Sequence, residues 1–375
     1  MTVPAPDIMY VITDLQVGGV PLHLLRLATA MQARGLAVRV VSLAPPGPVA
    51  DRLEAAGIAV DSCDGRGGAD VRVVLRLARL LRRHRPRLVH ALLFHANLAS
   101  RWAGRLAGIP PRRILCEIQT VEIERRWHLV VDRWTHRGCR WTIGNSPSVI
   151  EHLQREARIP PSRLRLVRGG VDVRRLQDAA PIDRALIGAV PSDRLVLWVG
   201  RLDPIKGVDA LIESMRHIDT ASHVRLLLVG DGPFRARIVE QIERLCLGRS
   251  VTLLGTREDV PSLLHTADVF AFPSRTEGLP NALLEAMAAG CAIVTTDAPG
   301  CRDLVRHEAT GLVTPVGDAS ALGRAIQRLL SDDDLRRRLG AAAAEEAAAH
   351  WSFERMITAY LELYAEVGAF AFEGG

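Results

Sequence analysis

Short apolar runs alternate with longer amphipathic segments along most of the chain. The runs at Ile8–Ile12, 195–199 and Val269–Phe272 carry no charged residue and end at polar or turn-forming residues. Such runs predict strands that are buried on both faces, as in a parallel sheet. The segments between them, such as 20–33 and 71–83, repeat apolar residues at helical spacing. The alternation predicts an α/β fold class.

The alternation breaks at residues 181–192, which we interpret as a linker, and starts again at Leu195. We therefore predict two doubly wound, Rossmann-like domains that face each other across a cleft. The first covers residues 1–185 and the second covers residues 192–350. A chain of 375 residues is long enough for two cores of ordinary size.

Composition narrows the class of protein. With 48% hydrophobic and 24% charged residues, the chain is typical of globular proteins. Six cysteines are scattered without metal-binding spacing, and the first residues lack the regions of a signal peptide. No apolar run approaches the ~20 residues of a membrane span. We expect a cytoplasmic protein, with peripheral attachment to the inner face of the membrane as a further expectation.

The net charge of +6 conceals an asymmetry between the two halves. Residues 1–190 hold 29 basic and 16 acidic residues, a balance of +13, whereas residues 191–375 hold 19 and 26, a balance of −7. The first half is therefore expected to meet something anionic. We exclude nucleic acid, because no basic patch is interleaved with aromatic residues and no nucleic-acid motif is present. An anionic membrane surface or a phosphate-bearing acceptor fits better.

Four arginines at helical spacing form a basic face in the first half: Arg72, Arg76, Arg79 and Arg83. The opposite positions of the same predicted helix are apolar. A solvated face of an ordinary amphipathic helix is the simpler interpretation. A membrane-contacting face is the alternative, which the charge asymmetry favours.

Lys206 is the only lysine beside 47 arginines. It follows the predicted strand at 195–199, in a loop that also carries Arg201. Ligands bind at the carboxyl ends of strands in open α/β sheets, and a compact ammonium suits phosphate oxygens. An ordinary solvated loop lysine is the alternative interpretation.

A second loop with candidate chemistry follows the strand that ends at Phe272. Glu277 precedes a Gly-Leu-Pro turn, a helix begins at about Asn281, and Glu285 lies one turn inside it. Backbone N–H groups at such a helix start can receive a diphosphate. Two carboxylates beside an anion site make sense where each accepts hydrogen bonds from ligand hydroxyls, as a nucleotide sugar would provide.

These motifs together resemble the retaining glycosyltransferases of family four, which have the GT-B fold. The resemblance rests on residues 200–207, the spacing of Glu277 and Glu285, and residues 229–233, 254–256, 267–274 and 311–313. In the first half, Gly18 and Gly19 look like the family's glycine-rich first loop. The resemblance also implies that a C-terminal helix, in residues 351–375, crosses back to the first domain.

Carried over position by position, the resemblance implies that Arg201 and Lys206 hold the diphosphate of a UDP- or GDP-sugar. Glu277 would contact the donor sugar, and Glu285 the ribose hydroxyls. Backbone amides of the glycine-rich turn would cradle the phosphates. The remaining donor-binding positions that it implies are Gly18, Gly19, Gly255, Arg257, Val260, Gly278, Leu279 and Asn281.

The chain departs from the family pattern where many members carry a histidine after the strand that matches Ile114–Ile118. Here residues 117–120 read Glu-Ile-Gln-Thr. His95 is a candidate substitute on the acceptor side, and a helix-start histidine bonded to backbone is the equal alternative.

The expected activity is retaining transfer of a sugar to a lipid-linked or glycan acceptor, in polysaccharide or glycolipid biosynthesis. The two fixed cations would stabilise the departing diphosphate without a metal, and we expect no resident cofactor. A catalytically silent GT-B protein is the alternative, which the set of four charged residues disfavours. A dinucleotide-dependent oxidoreductase is less favoured, because no Gly-x-Gly-x-x-Gly follows Ile8–Ile12.

Overall fold

A computed structural model describes residues 5–67, 70–121, 126–219 and 223–368. The chain forms two compact units. The first consists of Met1–Arg168 with Glu354–Gly375, and the second of Gly169–Phe353.

The first unit is built on a parallel sheet that has seven strands within the described residues. The strands are β1 (Ile8–Ile12), β2 (Val38–Ser42), β3 (Ala59–Ser62), β4 (Leu88–Leu92), β5 (Ile114–Ile118), β6 (Trp141–Gly144) and β7 (Leu164–Leu166). The helices are α1 (Gly19–Gln32), α2 (Pro48–Ala55), α3 (Arg72–His84), α4 (Phe94–Ala107), α5 (Trp127–Thr135) and α6 (Pro147–Arg155), with the C-terminal α15 (Phe353–Glu366). The strand order is β3-β2-β1-β4-β5-β6-β7.

The second unit has a parallel sheet of six strands among its described residues. The strands are β8 (Arg194–Val199), β9 (Val224–Val229), β10 (Val251–Gly255), β11 (Val269–Phe272), β12 (Ile293–Thr296) and β13 (Leu312–Thr314). The helices are α7 (Val173–Gln177), α8 (Val208–Ser214), α9 (Arg235–Arg244), α10 (Val260–Thr266), α11 (Asn281–Ala288), α12 (Cys301–Leu304), α13 (Ala319–Ser331) and α14 (Asp333–His350). The strand order is β10-β9-β8-β11-β12-β13.

Strand β1 in the first sheet and strand β11 in the second are buried on both faces, as their unbroken apolar runs predict. In β1, Ile8 pairs with Val38 on one side and with Leu88 on the other, and every residue of the strand is buried. Burial of both faces removes polar alternation, so such a strand appears in the sequence as a continuous apolar run. The predicted class, two doubly wound Rossmann-like α/β units, is confirmed.

The division between the units falls at residue 169, earlier than the predicted boundary of 185. Asp172 caps α7 by accepting a hydrogen bond from the backbone N–H of Arg175 at 3.0 Å. Leu176 and Ile187 are buried in the core of the second unit. Residues 169–189 therefore pack as part of that unit, and Ile187 lies inside the segment that we interpreted as a linker.

None of the helices in the described residues is both long and apolar enough to span a bilayer.

Candidate active site

Both sheets reverse their strand order at one point, between the first strand of the sheet and the fourth. In the second unit this point lies between β8 and β11, which pair through Val196 and Val269. The loops after these two strands lie at the carboxyl edge, where ligands bind in doubly wound sheets. The loop after β8 carries Arg201 and Lys206, and the loop after β11 carries Glu277.

The loop after β8 is ordered by a cap and a close backbone approach. Asp203 accepts a hydrogen bond from the N–H of Ile205 at 3.2 Å and so caps a short 3₁₀ helix at Pro204–Lys206. Gly207 follows with a φ of +65°, and a Cβ there would lie 2.0 Å from the carbonyl oxygen of Pro273. Only glycine fits this position without a shift of the backbone. The turn therefore holds Lys206 beside the end of β11.

Lys206 and Glu277 are in direct contact. The Lys206 Nζ lies 2.6 Å from Glu277 Oε1, and their side chains are 20% and 11% exposed. The buried Ser274 hydroxyl donates to the same oxygen at 2.7 Å. The ammonium has three donors, and it also lies 5.7 Å from the centre of the Phe272 ring. The arrangement holds one cation and one carboxylate at the edge of the sheet, where both side chains remain partly accessible.

Arg201 is the more accessible of the two loop cations. Its Nη2 lies 2.7 Å from Asp203 Oδ2, and the side chain is 67% exposed. An exposed pair of this kind contributes little to stability, about 0–1 kcal/mol. The guanidinium can therefore exchange Asp203 for an anionic ligand at small cost.

The turn before α11 is tightly enclosed. Gly278 is buried, and Pro280 is the residue before the helix, which begins at Asn281 as the sequence predicts. Gly300 has a φ of +79°, and a Cβ there would approach the carbonyl oxygens of Glu277 and Gly278 to 2.8 and 2.9 Å. Leu279 and Glu285 are half-buried, the latter one turn inside α11.

Three of the predicted donor-binding residues, Gly255, Arg257 and Val260, lie at the end of β10, in the loop after it and at the start of α10. Gly255 ends the strand with a φ of +67° and Val260 begins the helix. Arg257 binds Asp259 through two hydrogen bonds of 2.8 and 2.6 Å. The hydrogen bond to Arg257 lowers the pKa of the Asp259 carboxyl. These residues share the carboxyl edge with Lys206, but β10 is separated from β8 by β9.

The remaining predicted residues lie at the corresponding point of the first sheet. Gly18 precedes α1 and Gly19 begins it, directly after the loop that follows β1. His95 is the second residue of α4, after β4, and its ring packs edge-on against Phe94 and His128. Leu93, just before α4, has a φ of +76°, a conformation that costs free energy for a branched residue.

A buried polar network that was not predicted from the sequence lies at the same edge of the first sheet. Glu117 is fully buried and accepts hydrogen bonds from Tyr360 at 2.9 Å and Gln119 at 2.6 Å. His90 Nε2 lies 3.0 Å from Glu117 Oε2, and His23 Nε2 lies 3.9 Å from Oε1. A charged residue inside an otherwise apolar strand, one position before its end, was the available signal.

The network extends to α15. His90 Nδ1 and the Tyr364 hydroxyl are 2.8 Å apart, and Tyr364 and Tyr10 share a hydrogen bond of 3.1 Å. Complete burial by itself would raise the pKa of Glu117, but His90, with His23 and Gln119, outweighs it and lowers that pKa. Burial lowers the pKa of His23. The network stabilises a buried carboxylate and ties α15 to the sheet.

Known proteins resemble the chain in sequence and in fold. The family model "Glycosyltransferase Family 4" matches residues 17–175, and the model "Glycosyl transferases group 1" matches residues 181–346. The N-acetyl-alpha-D-glucosaminyl L-malate synthase of Bacillus anthracis is 29% identical over 180 residues, which are 48% of this chain and 47% of that protein. The GDP-mannose-dependent monoacylated alpha-(1-6)-phosphatidylinositol monomannoside mannosyltransferase of Corynebacterium glutamicum is 32% identical over 242 residues, 60% of this chain and 58% of that protein.

The chain therefore spans about half the length of the curated relatives it matches. Among solved structures, Anabaena Alr3699/HepE in complex with UDP superposes with a TM-score of 0.86 at 23% identity, over 96% of this chain and 99% of that one. That likeness establishes the GT-B fold. The two family models together cover most of both units, and the chain belongs to the group 1 glycosyltransferases.

Proposed function

We propose that this protein transfers a sugar, with retention of anomeric configuration, from a UDP- or GDP-sugar to a lipid-linked or glycan acceptor. The contact between Lys206 and Glu277 at the strand-order reversal carries the proposal. It supplies a phosphate-binding cation and a hydroxyl-binding carboxylate side by side, which is what a nucleotide sugar requires at its reacting bond.

The chemistry follows from where charge develops. The bond between the anomeric carbon and the diphosphate oxygen breaks, and its electron pair leaves with the nucleoside diphosphate. Lys206 and Arg201 stabilise that charge, together with the N–H groups at the start of α11. Glu277 accepts hydrogen bonds from the sugar and Glu285 from the ribose. The acceptor hydroxyl then bonds to the anomeric carbon and gives its proton either to a base or to the departing diphosphate.

We further propose that the reaction needs no metal ion, since two side-chain cations stand where a divalent ion would neutralise the diphosphate. Activity is expected to survive excess EDTA. Loss of activity in the chelator, with recovery on adding magnesium or manganese, would exclude this part of the proposal.

The donor and acceptor classes draw support from the relatives. HepE binds UDP and UDP-glucose in its crystal structures, and the Corynebacterium relative uses GDP-mannose and a phosphatidylinositol monomannoside. The +13 balance of residues 1–190 favours an anionic, membrane-borne acceptor at the inner face of the membrane. His95, which lies in the first unit, is proposed to contact the acceptor.

A thermal-shift panel of UDP-, GDP- and ADP-sugars tests the donor class first. A ligand at a hundredfold its dissociation constant stabilises the folded state by about 2.7 kcal/mol. Transfer from the selected donor to water-soluble glycan acceptors then tests the activity. Donor binding without transfer to any lipid or glycan acceptor would favour the catalytically silent alternative, and absence of both would contradict the proposal.

A further inference from the structure

Three tryptophans of the first unit are largely exposed. Trp102 on α4 is 51% exposed, and Trp127 and Trp134 on α5 are 55% and 75% exposed. Tryptophan is ordinarily among the more buried residues of a globular protein. Three exposed indoles on two consecutive helices indicate an interaction site.

The exposed side chains form one surface, which we call the tryptophan face. Trp127, Val130 and Trp134 recur at i, i+3 and i+7 and so lie along one side of α5. Trp102 and Leu106 lie one turn apart on α4, and Val130 and Leu106 are 56% and 46% exposed. Trp102 and Trp134 line the same cavity of about 500 Å³, which joins the two helices into one surface.

The charged residues that line the cavity of the tryptophan face are all arginines. Glu156 is an exposed acid near this face, and it pairs at 2.8 Å with Arg126, the residue before Trp127. Arg105 and Arg137 line the cavity beside the indoles, and the Arg133 guanidinium lies 5.8 Å from the centre of the Trp134 ring. The acids in the described parts of residues 94–140 are Glu117 and Asp132, and both are buried. Glu122 and Glu124 lie outside the described residues.

The predicted arginine face of α3 is a weaker candidate for the same role. Arg72 pairs with Asp70 at 2.8 Å, and Arg76 donates to the carbonyl oxygens of Cys63 and Asp64 at 2.6 and 3.1 Å. Two of the four predicted arginines are thus engaged locally. Arg79 and Arg83 remain exposed on that helix.

We propose that the tryptophan face docks onto the surface of an anionic lipid bilayer. Indoles partition to the boundary between headgroups and acyl chains, and arginines beside them attract anionic headgroups. A second copy of this chain is a poorer partner, because its own arginines would oppose these. This surface would bring the protein to the membrane that carries the proposed acceptor. Only that biological role rests on the proposed function.

Binding of the full chain to vesicles tests the proposal without donor or acceptor present. Vesicles of phosphatidylcholine alone and with phosphatidylglycerol are compared by sedimentation at low and high salt. Quenching of tryptophan fluorescence by brominated acyl chains reports insertion of the indoles. We expect salt-sensitive binding to the anionic vesicles only, with quenching.

Two variants and two matched controls locate the surface. Trp102→Ser with Trp134→Ser is expected to weaken vesicle binding by at least about tenfold, and Arg105→Gln with Arg137→Gln by about fivefold per arginine. The controls make the same kinds of change at α3 and at Val71, the residue just before it: Val71→Ser with Leu75→Ser, and Arg79→Gln with Arg83→Gln. They are expected to change binding by less than about threefold.

Several outcomes would overturn the proposal. These are absence of binding at low salt, equal binding to neutral vesicles, or tryptophan variants that bind as the parent does. A concentration-dependent dimer that the tryptophan variants abolish would assign the face to a protein interface instead. Transfer to a water-soluble acceptor, measured in the same variants, separates failure of docking from failure of the proposed activity.

Discussion

The two units share a strand order, but the polar residues near the point where that order reverses differ in their exposure to solvent. In the second unit, Lys206 and Glu277 meet at the edge between β8 and β11 and stay partly exposed. In the first unit, Glu117 lies one residue before the end of β5, the strand next to β4 of the reversal pair, yet it is fully buried and bonded to Tyr360 of α15. Topology places polar residues at this edge in both sheets. Whether they can meet a ligand depends on which element covers them.

The cost of burying a charge explains why Glu117 has more hydrogen-bonding partners than an ion pair at the surface needs. An ion pair that retains water costs little to form and contributes little, so its members can change partners. A carboxylate without water must satisfy its hydrogen-bonding capacity within the protein, because an unpaired buried charge is costly. Glu117 accordingly has Tyr360, Gln119 and His90 around it. The first arrangement suits binding, and the second suits stability.

The largest expected effect is on stability, at Glu117. Glu117→Ala leaves the buried Tyr360 hydroxyl and the half-buried Gln119 amide without their acceptor, and removal of one partner from a buried charged network costs about 3–5 kcal/mol. Urea denaturation measures the loss. Glu117→Gln, which keeps the shape, provides a measurable value should the alanine variant not fold.

Glu362→Ala is the matched control for this prediction, since Glu362 is an exposed residue of α15. Its free energy of unfolding should stay within about 0.5 kcal/mol of the parent. A Glu117→Gln variant as stable as this control would mean that the network does not hold α15 to the sheet.

The second effect is on ligand binding and turnover, at Lys206. Lys206→Ala removes a charge that stabilises the diphosphate, and loss of one such donor costs about 10²–10³ in turnover. Calorimetry with UDP and GDP should show weaker binding, whereas Arg324→Ala, on α13, should bind as the parent does. Lys206→Arg tests whether a planar guanidinium can replace the ammonium beside Glu277. Unchanged diphosphate affinity in the alanine variant would contradict the phosphate role.

The sequence was sufficient for the elements whose signal is local. The strands Ile8–Ile12 and Val269–Phe272 match their predicted bounds, because a buried parallel strand is a continuous apolar run. The short strands Leu164–Leu166 and Leu312–Thr314 were not predicted, since three residues carry too little pattern. The boundary at residue 169 was missed because burial of the following segment depends on the distant core of the second unit.

The same distinction applies to the candidate site. Lys206 and Glu277 follow two strong strands, so their meeting at one edge could be expected from topology alone. Tyr360 is 243 residues from Glu117, and no local pattern connects them. The sequence singled out Glu117 only as part of a segment that lacks a histidine. Glu117 is buried because α15, which is distant in the sequence, packs against it.

The third effect concerns the backbone that supports the open site. Gly207→Ala places a methyl group against the carbonyl of Pro273 at a φ of +65°, so we expect a destabilisation of about 1–3 kcal/mol. Gly248→Ala is the control, because nothing lies within 4 Å of its Cβ position. Its stability should change by less than about 0.5 kcal/mol. Equal free energies of unfolding of the two variants in urea would show that the backbone before α8 shifts to accept a Cβ without loss of stability.

The smallest effect is the dependence of stability on pH. Burial lowers the pKa of His23, and the surroundings of Glu117 lower the pKa of that carboxyl. In both cases the unfolded chain binds more protons than the folded chain over the affected range, so stability falls as pH falls. For His23 the loss begins below the ordinary histidine pKa of 6.5. His84 and His136, whose pKa values burial also lowers, act in the same direction.

Urea denaturation at steps between pH 7.5 and 5 isolates the part that belongs to the buried network. The free energy of unfolding of the parent should decline steadily over this range, and His23→Gln should decline less steeply, because one of the titrating groups is gone. His350→Gln removes a half-exposed histidine of α14 and should follow the parent. If the free energy of unfolding of His23→Gln falls with pH at the same slope as that of the parent, protonation of the His23 imidazole is not coupled to unfolding. The contrast between a sealed and an open reversal point would then rest on Glu117 and the tyrosines of α15 alone.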